Sequence, residues 1–135
     1  MIDETFLIKP VAKQRPRLAR GGFCYTPKET VIFERSLARM VKTRLRLIGP
    51  LFLVEHVCIK IVFSFKKPKT SKLTIPRGDI DNYCKSVLDA LNGVVWADDK
   101  NVCVLMARKK FDDFDGLRLT LWVDSEEKVC VAQGA

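Results

Sequence analysis

Between Arg77 and Val102 the chain reads RGDIDNYCKSVLDALNGVVWADDKNV, which sets five aspartates, Asp79, Asp81, Asp89, Asp98 and Asp99, in and around a helical pattern. Carboxylates brought to one place repel and raise one another's pKa unless a cation compensates. Mg2+ supplies that compensation, and Mn2+ can substitute, because such ions prefer oxygen ligands and keep waters for a substrate phosphate. Two of them roughly 3.5 to 4 Å apart can activate water and stabilise the leaving oxygen of a phosphodiester. Acids from a helix start and from a separate turn can converge on a site of this kind.

Packing and capping account for part of the pattern. Asp79 falls at a helix N-cap behind Pro76-Arg77-Gly78, and Asp81 falls in the first turn, where unpaired amides and the helix dipole favour negative charge. That explains one acid well but not the second helical acid with a lysine one turn later, nor the adjacent Asp98-Asp99. Two roles stay open for Lys85. It can pair at i, i+4 with Asp81 or Asp89, worth a few tenths of a kcal/mol and slightly favoured on spacing, or it can offset charge building on phosphoryl oxygens.

The elements around this stretch must position it. Glu4 to Ile8 reads as a short strand, and Pro10, Pro16, Gly21, Gly22 and Pro27 punctuate a long basic loop over residues 9–28. Thr26-Pro27 predicts a helix start, with Val31, Ile32, Leu37, Met40, Val41 and Leu45 at helical spacing and Gly49-Pro50 as the stop. Residues 51–65 predict a long half-buried strand, since Val57, Ile59, Ile61, Phe63 and Phe65 alternate with Cys58, Lys60, Val62 and Ser64. After a basic loop at 66–77 comes the acidic helix, with Ile80, Cys84, Leu88 and Leu91 on one face against a core and Asn92-Gly93 as its end. Strands at 102–111 and 117–123 follow, and the tail after Asp124 is expected to be weakly ordered. The order β-α-β-α-β-β predicts a single α+β domain, a mixed or antiparallel sheet of about four strands with two main helices packed on it.

Composition bounds the partners. The chain has 135 residues, 47% apolar and 30% charged, which suits one domain with a genuine core. Its net charge of +8 surrounds the carboxylates with a positive field and points to a polyanion, because cations meeting phosphates release counterions. Lys9, Lys13, Arg15, Arg17, Arg20 and Lys28 crowd the first loop, and Lys66, Lys67, Lys69, Lys72 and Arg77 crowd the approach to the acids; the plainer alternative is that some merely solvate loops. No apolar run approaches the roughly 20 residues of a membrane helix, and Met1-Ile2-Asp3-Glu4 does not start like a signal peptide. A cytoplasmic protein without membrane contact is expected. Cys24, Cys58, Cys84, Cys103 and Cys130 form no C-x-x-C pair and read as free thiols; zinc is disfavoured, since the lone His56 has no cysteine at ligand spacing and reads as structural.

The string Asp79-x-Asp81-Asn82-x-x-Lys85, then Asp89-Ala90-Leu91, Gly93, Asp98-Asp99 and Val102, resembles the signature of the RusA family of Holliday-junction resolvases of bacteria and their phages. Outside it, Lys13-x-Arg15-Pro16-Arg17, Tyr25-Thr26-Pro27-Lys28 and Lys110 are similar to phage-type members. The resemblance implies a magnesium-dependent endonuclease, acting as a symmetric homodimer that nicks two strands of a four-way DNA junction. Carried over by motif position, Asp79, Asp81 and Asp99 are the implied catalytic metal ligands, Asp98 a supporting acid and Lys85 the catalytic lysine, with Asp89 read as structural. A two-fold dimer suits the near two-fold symmetry of a junction. The expected DNA contacts are Lys13, Arg15, Arg17, Arg20, Lys28, Lys69, Lys72 and Arg77, and Phe23 and Tyr25 are candidates for base stacking. The competing expectations are a catalytically inactive basic DNA-binding module that keeps its acids for capping, and a nuclease of the same site with another branched or RNA substrate.

Overall fold

Strict alternation over residues 57–65 demands a strand that buries one face, and the computed structural model has it. It describes residues 1–14, 17–22, 24–25, 27–53 and 56–124. The strand order is laid out around β4 (Val57–Lys66), whose Val57, Ile59, Ile61 and Phe63 are fully buried. On one side it pairs in parallel with β5 (Val102–Asp112), on the other antiparallel with β6 (Gly116–Val123), and β6 pairs antiparallel with β1 (Ile2–Phe6). The sheet is therefore mixed, in the order β1-β6-β4-β5, with β5 as an open edge.

Helix α1 (Lys28–Leu45) and helix α2 (Ile80–Leu91) contribute Phe33, Leu37, Val41, Val87 and Leu91 to the same core as the inward face of β4. A parallel β4–β5 pair requires a crossover, and α2 is that crossover, so its start lies toward the strands' far end and its finish near the beginning of β5. The fold class agrees with the expectation, α+β in the order β-α-β-α-β-β. No helix among the described residues is long and apolar enough to cross a membrane.

Several boundaries differ from the pattern. The first strand starts at Ile2 rather than Glu4, and α1 stops at Leu45, ahead of Gly49-Pro50, because Arg46 turns left-handed at φ 53° and the Leu47 N–H closes on the Lys42 carbonyl at 2.9 Å. Leu47 then packs against the core, which periodicity cannot signal. On α1 the buried set is Thr30, Phe33, Leu37 and Val41, leaving Ile32 52% exposed. On α2 it is Cys84, Ser86, Val87, Ala90 and Leu91, while Ile80 is 37% exposed and Leu88 half-buried, so the core stripe is turned away from the Ile80–Leu88 line. The basic loop also holds a two-strand ladder, β2 (Arg17–Leu18) with β3 (Cys24–Tyr25). Arg15, Phe23 and Thr26 and the tail after Asp124 lie outside the described residues, as do the side chains of Arg17 and Tyr25.

Candidate metal and nucleic-acid site

Asp79 occupies the α2 N-cap with extended backbone, φ −86° and ψ 130°, as the sequence predicts. Its side chain accepts no capping hydrogen bond; its backbone carbonyl instead takes the N–H groups of Asn82 and Tyr83 at 3.1 and 3.2 Å. The Asp79 carboxylate is exposed and not consumed by the helix end. One turn on, Asp81 is exposed too, and one of its oxygens accepts the N–H of Asn82 at 2.9 Å.

The approach to this pair is braced by residues that sequence reading passed over. Gly78 has φ +92°, a conformation that glycine adopts without penalty, and the Tyr83 ring lies where a β-carbon would stand. Tyr83 donates its hydroxyl to the Arg77 carbonyl at 3.0 Å and sets its ring against Phe63 and Phe65, with centroids at 5.5 and 5.2 Å. Burial pushes the Tyr83 phenol up from its ordinary pKa, so it stays a donor. Lys109 on β5 donates to the carbonyl oxygens of Pro76, at 2.9 Å, and Gly78. Lys109 sits in a basic run with Arg108 and Lys110, of which only Lys110 entered the sequence reading, and nothing local shows that Lys109 turns toward the segment before α2.

Lys85 makes the i, i+4 pair with Asp89 at 2.8 Å, the partner that spacing allowed. Asp89 also holds Lys13 at 3.1 Å, and Lys13 reaches Glu34 on α1 at 2.7 Å. Partial burial pushes the Asp89 carboxyl up, but hydrogen bonds and charge from Lys85 and Lys13 outweigh it and hold the group below its ordinary 3.8. Burial likewise presses the Lys13 ammonium down, and its two acids more than restore it, so its pKa is raised. Lys13, expected among the DNA contacts, thus ties the basic loop to both helices. Lys85, with 57% of its side chain exposed, keeps an open flank.

The other two acids stand elsewhere. Asp98 caps a short 3-10 turn, Asp99–Asn101, by accepting the Lys100 N–H at 3.1 Å. Asp99, half-buried, accepts the indole N–H of the fully buried Trp96 at 2.9 Å. Trp96 in turn bridges to Asn92 at the α2 C-cap. Asp79 and Asp81 therefore lie at one end of α2 and Asp98 and Asp99 at the other, and 12 residues of helix span roughly 18 Å. Among the described residues, no three of these four acids have ligand oxygens mutually within 4.8 Å. One chain brings Asp79 and Asp81 to the start of α2, with Lys85 one turn on along the same groove as Asp81; it does not bring Asp99 to them.

Arg20, Lys28, Lys69, Lys72 and Arg77 are all exposed. Arg77 lines a cleft of about 490 Å3 shared with Lys9, Lys66, Tyr83, Phe111 and Asp115, which lies at the segment leading into α2. Beside Asp81 itself is a shallower groove of about 370 Å3 whose wall is apolar, with Ile80, Leu88, Leu105 and Ala107 between Asp81 and the open edge of β5. The surroundings of the acids thus combine cations suited to a phosphate backbone with an uncovered apolar wall.

Comparison with known proteins gives one family: a family model described as Endodeoxyribonuclease RusA matches residues 8–121, from the basic loop to the penultimate part of β6. No curated protein matches the chain.

Proposed function

Because the chain belongs to the RusA endodeoxyribonuclease family, we propose that it is a Mg2+-dependent endonuclease that resolves four-way DNA junctions by paired nicks, working as a homodimer in recombination and repair. The observation that carries the reading is the exposed Asp79–Asp81 pair at the α2 start, with a carboxylate at Asp79 that the helix does not use. A module keeping its acids for capping would bond Asp79 to the first-turn amides, and it does not.

The donor set fits the ion. Carboxylate oxygens open to solvent suit a hard cation that retains waters, and Asp79, Asp81 and Asp99 would hold it, with Asp98 in support. When bound, Mg2+ lowers the pKa of a water and stabilises charge on the oxygens of the scissile phosphate. The chain's own residues do the rest. Lys85, steadied by Asp89, offsets charge growing on a non-bridging phosphoryl oxygen. Trp96 fixes one oxygen of Asp99, and Gly78, Tyr83 and Lys109 fix the entry to α2. Arg20, Lys28, Lys69, Lys72 and Arg77, with Arg15 and Arg17 of the loop, take the DNA backbone, so affinity falls steeply with salt.

The separation along α2 supports the dimer. Since Asp99 lies a helix length from Asp81 in one chain, a shared ion calls for Asp99 of a second copy beside Asp79 and Asp81 of the first. Two-fold symmetry then yields two equivalent sites for two equivalent phosphates. Asp81→Asn with a labelled synthetic junction in Mg2+ tests the chemistry: nicking is lost while the gel shift is kept. Full cleavage by that variant removes the mechanism, and a wild-type chain that shifts the junction without nicking it establishes the binding module instead. Flap, linear and RNA substrates in the same assay decide specificity.

A further inference from the structure

A second group of metal-binding side chains meets at the strand ends, where Cys58 lies on β4, Cys103 on β5 and Asp124 just beyond β6. One ligand atom from each falls within 4.8 Å of the others, and no other trio of His, Cys, Asp or Glu among the described residues does so. The two sulfurs are 3.9 Å apart. That is nearly twice the ~2.05 Å of a disulfide and close to the ~3.8 Å edge that two thiolates span on a tetrahedral ion with arms of about 2.3 Å.

The backbone builds this meeting. The β4–β5 ladder runs Val57 to Val102 and then Cys58 to Val104, so Cys103 is the extra residue of a bulge and shares the position opposite Cys58 with Val104. Bulges of this kind aim a side chain where regular pairing would not. Asp124 is brought in by its own N–H, which donates to the His56 carbonyl at 2.9 Å; the Cys58 sulfur faces the same carbonyl at 3.8 Å.

We propose that Cys58, Cys103 and Asp124 form a site for a thiophilic divalent cation, Zn2+ foremost, separate from the oxygen-ligand site of the nuclease. Two sulfurs and one carboxylate give three arms and leave a fourth tetrahedral position for water. Without an ion Cys58 keeps its proton: burial, then the Cys103 sulfur and the Asp124 carboxylate, push its thiol up to about 11. Binding releases one proton from each thiol to solvent, and thiolates select soft or borderline ions over Mg2+. An ion held there fastens three strands at one end, four residues along the chain from Asp99. The expectation against zinc rested on local spacing, and Cys58 and Cys103 stand 45 residues apart.

The test uses the full chain, reduced with a phosphine, stripped with chelator and titrated with Co2+. The expected result is a near-ultraviolet thiolate-to-cobalt band with visible bands of tetrahedral Co2+, saturating at one ion per chain, chased by Zn2+ and untouched by millimolar Mg2+. Cys103→Ser abolishes the band, Asp124→Asn weakens binding by more than about tenfold, and Cys24→Ser leaves it intact. Because Cys58 is buried, the exposed Cys103 and the half-buried Asp124 carry the test, with circular dichroism confirming the fold of their variants. Zn2+ at a hundredfold excess over its Kd raises the wild-type Tm by about 5–10 °C and that of Cys103→Ser not at all. Absence of a sulfur-to-cobalt band in the wild type, or its persistence in Cys103→Ser, overturns the proposal; neither outcome depends on nuclease activity.

Discussion

Replacing Gly78 with alanine separates the placement of Asp79 and Asp81 from their chemistry. A β-carbon at Gly78 would lie 2.7 Å from the Tyr83 hydroxyl oxygen and 2.8 Å from its Cε2, with φ fixed at +92°. The left-handed backbone costs a β-carbon-bearing residue about 1–2 kcal/mol, and overpacking adds about 1–3 kcal/mol. Relief requires Tyr83 to swing, which breaks its bond to the Arg77 carbonyl and its edge contact with Phe65. Gly78→Ala is therefore expected to destabilise the chain by about 2–5 kcal/mol in urea denaturation. A shift of the acids by about 1 Å is expected to slow single-turnover junction cleavage by about 100-fold. The steric part disappears when Tyr83→Ala is added, whereas the backbone part remains, so the double-mutant cycle gives a favourable coupling of about 1–3 kcal/mol. A Gly78→Ala chain as stable and as fast as the wild type would refute the account of how α2 is entered.

Trp96→Phe removes the donor to Asp99 and leaves a small void, costing about 1–3 kcal/mol of stability; single-turnover assays should show about a tenfold slower kcat with unchanged junction binding. Mixing Asp81→Asn with Asp99→Asn subunits tests the shared site: heterodimers concentrate both lesions in one site and leave the other whole, so nicking of one strand returns, and its failure with heterodimers verified defeats the two-chain arrangement. The pH dependence of stability follows from the Lys13–Asp89–Lys85 cluster. Asp89 has its folded pKa below 3.8, so its contribution is complete above that value and drains as pH falls through the folded pKa, whereas that of Lys13, raised above 10.5, is complete below 10.5 and is lost as pH rises through the folded value. Asp89→Asn should flatten the acid slope of the urea midpoint between about pH 5 and 2.

What the sequence disclosed was local in origin. Alternation over residues 57–65, the Asp79 cap position and Asn92-Gly93 each depend on a few neighbouring residues and stand as read, whereas the strand expected over 51–65 begins only at Val57, since Phe52 makes no more than an isolated bridge to Trp96. The acidic motif was legible as a pattern, and of the two partners that spacing offered Lys85, Asp81 and Asp89, the structure takes Asp89. Which acids meet was not, because a helix separates them and only the crossover topology says that its two ends point to opposite ends of the strands. The same holds for Lys109 at the α2 entry and for Tyr83 over Gly78, contacts 31 and five residues apart that leave no period. Ile80 and Leu88 fit a helical stripe yet line a groove, since periodicity finds an apolar face without saying what covers it. The bulge at Cys103 is a property of two strands together, and no single strand's composition encodes it.

The segment before the basic hairpin has one more consequence. The Val11 carbonyl lies 2.5 Å from the Ser86 hydroxyl, which also sits 2.9 Å from the Tyr83 carbonyl and serves one at a time with its single proton, and the Lys13 N–H donates to the Asn82 carbonyl at 2.8 Å. This stretch is thus a strap stitched along the helix that carries the acids, rather than a free arm. Tension applied to it would be felt first by α2. Loosening one stitch with Ser86→Ala, which leaves β1 and its buried Phe6 in place, would consequently impair turnover as well as grip, because the lever and the blade are one piece.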